Sequence, residues 1–264
     1  MLRLPIPNCP EQAVNRTGPG RWRNVNPSMP PARTTGAPGN WPLKFCGDLA
    51  FQFQALLPAM ALTIIQHPLV THVLTHLRDK TTKPALFRTL CDQITLLLAL
   101  EATRDLATED KAIETPLEAM TGRVLARPLA IVPILRAGLG MVEPFLDLFP
   151  DVSVGYVGLE RDHVTAIAHS YYCKLPPLEG RRVLVVDPML ATGGSAVQAL
   201  DVVKAAGAKD LALVCIVAAP EGVALFEQRH PEVPIFTAAL DRELDAKKYI
   251  LPGLGDFGDR LYGT

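Results

Sequence analysis

At 264 residues and 28.6 kDa, the chain is near the upper size of what one hydrophobic core organises, which points to one α/β domain with an appendage. Hydrophobic residues at 48% and charged residues at 20% exclude a mostly disordered chain, a collagen and a disulfide scaffold. A net charge of −1 and a pI near 6.6 give no global field for nucleic acid or anionic membrane, and cysteines at 9, 46, 91, 173 and 215 without a Cys-x-x-Cys pair argue against zinc and suit a reducing cytoplasm.

Residues 1–59 hold ten of the 24 prolines, both tryptophans, six basic residues and only two acidic ones, Glu11 and Asp48. Proline fixes φ and removes a donor, so a run such as Asn26-Pro27-Ser28-Met29-Pro30-Pro31 makes neither helix nor central strand. Too few periodic apolar residues remain to bury. The segment is therefore expected to be a disordered extension, with the ordered domain over 60–264. It lacks the apolar core of about 7 to 15 residues that a secretory signal needs, and its prolines spoil an amphipathic transit helix. Met60 immediately precedes the first orderly pattern, as expected if translation were assigned upstream of the true start.

From Gln66 the pattern turns helical. Leu69, Val73, Leu74 and Leu77 recur at spacings of three and four, and a second run follows from Pro84 through Phe87, Leu90, Ile94, Leu97, Leu98 and Leu100. Short apolar runs then alternate with helical stretches: strands at 129–134, 152–159, 183–186, 211–218 and 235–240, and helices at 140–149, 196–206 and 221–229. Repeated βα units with strands apolar throughout predict a mostly parallel twisted sheet flanked by helices. In such sheets ligands bind at the carboxyl ends of the strands, so chemistry belongs in the strand-to-helix loops. No run reaches the roughly 18 apolar residues of a membrane span.

The strongest loop is Asp187-Pro188-Met189-Leu190-Ala191-Thr192-Gly193-Gly194-Ser195, between the strand at 183–186 and a helix. Gly193 and Gly194 let the backbone turn its N–H groups inward, the Thr192 and Ser195 hydroxyls add donors, and the helix N-terminus adds partial positive charge. Together these form a cradle for a phosphate. No lysine follows the glycines, so it is not a Walker A loop. Asp187 would repel a second phosphate but accepts hydrogen bonds from neutral hydroxyls, which suits a sugar phosphate. An aspartate that merely caps a turn would leave the glycine and hydroxyl cluster unexplained.

A second loop, Leu135-Arg136-Ala137-Gly138-Leu139-Gly140, follows the strand at 129–134. The Arg136 guanidinium is able to grip two phosphate oxygens, although a surface arginine at a helix start would look the same. The third loop, Tyr249 to Arg260, sets three glycines and a proline around two aspartates, with neither helix period nor strand alternation. It reads as a rigid binding loop, whose backbone N–H, C=O and N–H groups match a planar base edge that presents acceptor, donor and acceptor.

These loops, together with Ala218-Ala-Pro-Glu-Gly222, resemble the uracil phosphoribosyltransferases, members of the type I phosphoribosyltransferase superfamily, from about Ile64 to Thr264. The resemblance implies a phosphoribosyltransferase-type α/β fold with a small C-terminal base-binding hood. It also implies transfer of phosphoribosyl from phosphoribosyl diphosphate to uracil, with Mg2+ held mainly by the diphosphate and no direct protein ligand to the metal. By position, Asp187 to Ser195 would hold the ribose hydroxyls and 5-phosphate, and Arg136 the diphosphate. Arg161 would close over the diphosphate from a mobile flap. Ile250 and Gly255 to Phe257 would offer backbone groups to uracil, with Asp256 also near the phosphoribosyl ligand. Arg136, Arg161 and Asp187 are the expected catalytic groups, in a homo-oligomer with GTP as an effector. Two departures stand out: His163 and Val164, where many members have two glutamates, put flap closure in question, and Phe257 stands where many have alanine.

Other constellations carry less. His72 and His76 share a helix face without a third ligand, and Cys173, next to Tyr171 and Tyr172, lacks a motif-placed histidine and is expected to pack. A rival reading is an RNA-binding pyrimidine regulator on the same fold, which would want a basic, aromatic-bearing face; nearer rivals differ only in the base accepted. The tail reading has a direct consequence. Deleting residues 1–59 is expected to leave melting temperature and turnover nearly unchanged, and an unfolded or inactive truncated protein would show instead that Phe51, Phe53, Leu56 and Leu57 pack on the domain.

Overall fold

The computed structural model describes the backbone of residues 62–161 and 168–264, and their side chains outside 160–170. The expectations for residues 1–59, His163 and Val164 lie outside the described residues. In chain order the elements are β1 (Leu62–Ile64), α1 (Pro68–Arg78), α2 (Pro84–Ala102), β2 (Thr108–Glu114), β3 (Ala119–Leu125), β4 (Leu129–Leu135), a 3-10 turn (Ala137–Met141) and α3 (Val142–Leu148). There follow β5 (Ser153–Val154), β6 (Tyr156–Arg161), β7 (Ala168–Lys174), β8 (Arg182–Val186), β9 (Met189–Leu190) and α4 (Gly194–Ala205). The chain ends with β10 (Asp210–Ala218), α5 (Pro220–Arg229), β11 (Ile235–Leu240), β12 (Glu243–Leu244), β13 (Ile250–Leu251) and α6 (Phe257–Tyr262).

Both opening helices start at a proline in the first turn, where the missing N–H costs nothing. The His67 ring Nδ1 accepts from Leu69 N–H at 3.1 Å as a cap. In α1 the stripe Val70, Val73, Leu74 and Leu77 is buried, while Leu69, expected inside, is 55% exposed. In α2 the buried face is Phe87, Leu90, Cys91, Ile94, Leu98 and Ala102, and Leu100 points outward.

The main sheet runs in the order β1-β11-β10-β8-β4-β6-β7. All of these pairs are parallel except β6 with β7. Alternate residues face opposite sides, and the register keeps the faces consistent: Ile131 pairs Leu184, which pairs Ala212. These three lie in the core shared with α1, α2, α3 and α6. Their neighbours Ala130, Val132, Val183, Val185, Leu211 and Leu213 lie in the second core, with α4 and α5. Both faces are thus covered, which accounts for strands that are apolar throughout.

Three details differ from the sequence expectation. The strand at 152–159 is divided at Gly155, whose N–H donates to Ile131 O at 2.9 Å; a Cβ there would meet Leu175 Cδ2 at 2.8 Å. Residues 249–260 end in a helix, α6, capped by Asp256, whose side chain accepts from Asp259 N–H at 3.0 Å. The hairpin β2–β3 has no counterpart in the apolar pattern, because its residues are exposed or half-buried and no buried face constrains their alternation. Among the described residues no helix is long and apolar enough to cross a membrane.

The chain passes from β4 to β6 on one side of the sheet and from β8 to β10 on the other. The order therefore reverses between β4 and β8, and a crevice opens at their carboxyl ends. Gly138 is what lets the loop after β4 lie close: a Cβ there would stand 2.7 Å from Val186 O and 3.1 Å from Pro133 Cβ. Gly138→Ala is expected to cost about 1–3 kcal/mol in urea unfolding, since the obstacle is backbone. Gly194→Ala, where the nearest atom is Thr192 Oγ1 at 3.9 Å, should cost less; equal losses would show that the close approach is not what constrains Gly138.

Candidate active site at the switch point

Pro133 pairs Val186 across the switch point, so the chain leaves β4 as Leu135-Arg136 and β8 as Asp187 side by side. Arg136 is exposed at the start of the 3-10 turn. The Leu135–Arg136 peptide is cis, as is Leu251–Pro252. Arg161 is the last residue of β6, opposite Ala168 of β7; its backbone thus ends an antiparallel ribbon, and its side chain lies outside the described residues.

After β8 the Asp187 N–H donates to Val214 O at 3.1 Å, and the chain forms the short strand β9 beside β10. Gly193 then adopts φ +81°, a left-handed conformation, as the N-cap of α4, and its carbonyl accepts from Val197 N–H at 2.9 Å. Asp187, Met189 to Gly193, Ser195 and Ala196 line one small concavity. Donors and a helix N-terminus thus surround a space sized for an anion.

Gly222, in the first turn of α5, was singled out in sequence only as part of a motif. The structure supplies the reason. A Cβ at Gly222 would lie 2.4 Å from Ala191 O and 2.7 Å from Leu190 O, and one at Gly193 would lie 2.7 Å from Gly222 O. Two glycines therefore let α5 press against the phosphate loop from behind, fixing a curvature that side chains would open.

A second cavity of about 230 Å³ adjoins this concavity, sharing Met189 and Ala191 with it. Its other walls are Ala137 from the loop after β4, Lys248 to Ile250, and Gly255 to Gly258. All three sequence-predicted loops therefore converge on one place. Larger clefts lie beside β1 and α2 and beneath the hairpin, but neither gathers the glycine, hydroxyl and carboxylate groups found here. Ala137, Lys248 and Tyr249 are lining residues that pattern reading missed, since nothing in their types sets them apart.

Two side chains of the C-terminal loop are buried in the core. Ile250 and Phe257 are each 3% exposed, and the Phe257 ring meets Phe87 edge-on at 5.3 Å in the core. Gly253 and Gly255 have φ of +60° and +74°. A Cβ on Gly253 would lie 2.1 Å from Ile250 O, whereas the space beside Gly255 is open to Arg260 Cδ at 3.6 Å; at Gly255 the angle, not crowding, favours glycine. Asp256 is exposed and spends one carboxylate oxygen on the α6 cap. Cys173, expected to pack, is exposed on β7, as are its neighbours Tyr171, Tyr172 and Lys174, so no face of this end of the ribbon is covered. His72 and His76 touch edge-on at 4.8 Å on the outer face of α1.

Burial at the sheet end pushes the Asp187 carboxyl up to about 7, against a lowering contribution from the Met189 backbone N–H. Beneath it the Cys215 thiol is likewise pushed up to about 12 by burial. A carboxyl whose folded pKa is raised holds a proton that the unfolded chain releases. Stability is therefore full below the unfolded value of 3.8 and is lost as pH rises through about 7. Asp187→Asn, neutral at every pH, should gain melting temperature relative to the parent protein between about pH 4 and pH 7 and level off above. A difference constant from pH 4 to 8 would show that Asp187 is not desolvated.

The sequence model of the family Uracil phosphoribosyltransferase matches residues 64–264. A Uracil phosphoribosyltransferase from Listeria innocua is 52% identical over 203 residues, 76% of this chain and 97% of that protein. One from Bacillus thuringiensis is 52% identical over 205 residues, 77% of this chain and 98% of that protein. Among solved structures, the AQ2163 protein from Aquifex aeolicus superposes with a TM-score of 0.74 at 37% identity, covering 77% of this chain and 98% of that one. With its three loops assembled at the switch point and a family match over more than three quarters of its length, the chain belongs to the uracil phosphoribosyltransferase family.

Proposed function

We propose that the protein transfers the phosphoribosyl group of phosphoribosyl diphosphate to uracil, giving UMP and diphosphate. The single observation that carries this reading is the adjacency of two concavities that share Met189 and Ala191, one along the phosphate loop and one of about 230 Å³ against the C-terminal loop: the first suits a phosphate and the second a planar base. The relatives at 52% identity carry that enzyme's name.

In the reaction the bond from the anomeric carbon to the diphosphate oxygen breaks, a bond to uracil N1 forms, and the N1 proton departs. The backbone N–H groups from Ala191 to Ser195 hold the 5-phosphate. Asp187, ionised, accepts from the ribose hydroxyls and keeps the ring oriented. As charge builds on the leaving diphosphate, Arg136 and Arg161 oppose it; one well-aimed donor of this kind is worth about 3 kcal/mol of barrier. Among the described residues no three metal-ligating side chains converge. Mg2+ held mainly by the diphosphate rests on the family resemblance; the ion would neutralise charge on the leaving group. Asp256, the exposed carboxylate of the lining, is of the hard oxygen type it takes.

Uracil is read by the main chain at Ile250 and Gly255 to Phe257, since the Ile250 and Phe257 side chains point into the core. A second copy of the chain is the fitting partner for the β2–β3 hairpin, where Ile113, Met120 and Val124 stand exposed on one face; such an apolar patch marks an interface. GTP as an effector rests on the family resemblance. A cytoplasmic location rests on cysteines without a disulfide framework.

Diphosphate release measured with uracil, cytosine, hypoxanthine and orotate tests the reading. Uracil alone should support turnover, with cytosine about 10⁴-fold lower in kcat/KM, because its amine and unprotonated N3 would face like partners at two positions. Phe257→Ala should keep that preference, and Gly255→Val should abolish activity by forbidding the positive φ. Ready use of cytosine by Phe257→Ala would show that the side chain reads the base.

A further inference from the structure

The base loop is held by charged groups that do not line its cavity. At the C-terminus of α1, Arg78 forms a two-point pair with Asp241, its Nη2 donating to Oδ1 at 2.6 Å and its Nη1 to Oδ2 at 2.9 Å. Arg78 Nη1 also donates to Gly253 O at 2.8 Å. Asp241 Oδ2 accepts from Gly253 N–H at 2.9 Å. Both polar groups of one glycine residue are therefore held by one ion pair, in which the Asp241 side chain is only 4% exposed. Arg260 secures the next residue: its Nη1 donates to Leu254 O at 2.8 Å and to Leu77 O, and its Nη2 to Asp79 O at 2.6 Å. Its guanidinium stacks 4.5 Å from the centre of the Phe87 ring.

A buried bidentate arginine–carboxylate pair is directional and stiff. Here it ties the end of α1 and the residue after β11 to Gly253, two residues before Gly255. Apolar packing alone would leave the peptide planes of a loop with two left-handed glycines free to rock, and the position of a peptide plane decides where its N–H points. We propose that Arg78 and Asp241, assisted by Arg260, are positioning residues for the base. They touch neither substrate, and they set the register of the Gly255 to Phe257 amides against uracil. The inference rests on the reading that this main chain recognises the base.

The test is steady-state kinetics of the full chain, with each substrate varied in turn, alongside thermal melting. Asp241→Asn keeps the size of the side chain but removes the charge that orients Arg78, and Arg78→Lys keeps the charge but removes the second donor. Each should raise KM for uracil about tenfold and narrow the preference over cytosine, with KM for phosphoribosyl diphosphate within about twofold. Arg78→Met should be worse than Arg78→Lys, and the Arg78→Lys/Asp241→Asn double variant should cost little more than the worse single change, because both break one network. If Asp241→Asn fails to fold, Arg78→Lys and Arg260→Lys carry the same comparison. A fall in kcat or melting temperature with KM for uracil and the base preference unmoved would overturn the proposal. So would equal rises in both KM values. If Gly255→Val abolishes turnover while the clamp variants leave KM for uracil unchanged, the clamp inference fails alone. If Gly255→Val retains the parent KM for uracil, main-chain recognition fails and takes the inference with it.

Discussion

The arrangement depends on one constraint, the parallel pairing of β4 with β8 at the point where the strand order reverses. Parallel strands require crossovers, crossovers put helices on both faces, and helices leaving to opposite sides cannot fill the space above the two central strands. Arg136 and Asp187 owe their adjacency to this pairing, not to any contact between them. The glycines follow from it as well. Gly138 brings the first loop down onto Val186, and Gly193 and Gly222 let α5 support the second from behind.

That geometry sets an electrostatic problem. A carboxylate at the end of a buried strand is poorly solvated, which is why the Asp187 carboxyl rises to about 7. The same desolvation strengthens its bonds to hydroxyl groups once a sugar replaces water. On the proposed reading, the ionised carboxylate accepts from ribose hydroxyls, any proton it held passing to solvent, and it would repel a second phosphate. Arg136 on the neighbouring loop, exposed, is proposed to answer the opposite need, a cation for the charged end of the substrate.

The base recognition proposed above uses a different device. The Ile250 and Phe257 side chains serve the core, as the Phe257–Phe87 contact shows, which leaves their backbone for the base on that reading. A backbone reader tolerates change in its side chains, which accounts for a phenylalanine at a position where alanine would serve. It requires, however, that the peptide planes be held from outside, by the Asp256 cap at one end and the Arg78–Asp241 pair at the other.

The strands at 129–134, 183–186, 211–218 and 235–240, the two opening helices, and the loops carrying Arg136, Asp187 and Gly255 were all legible in the sequence. Burial on both faces restricts strands to apolar types, and tight turns and anion cradles restrict loops to glycine, hydroxyl and carboxylate residues, so these features leave local marks. The hairpin β2–β3 left none, because its surface faces outward. The division at Gly155, the helix α6 and the supporting role of Gly222 were likewise decided by neighbours distant in sequence. The clearest case is Arg78 and Asp241, an arginine at a helix end and an aspartate after a strand, each unremarkable in its own segment. They lie 163 residues apart, and only the closure of the sheet brings them together, since a pairing between side chains that share no local period is a property of the folded chain alone.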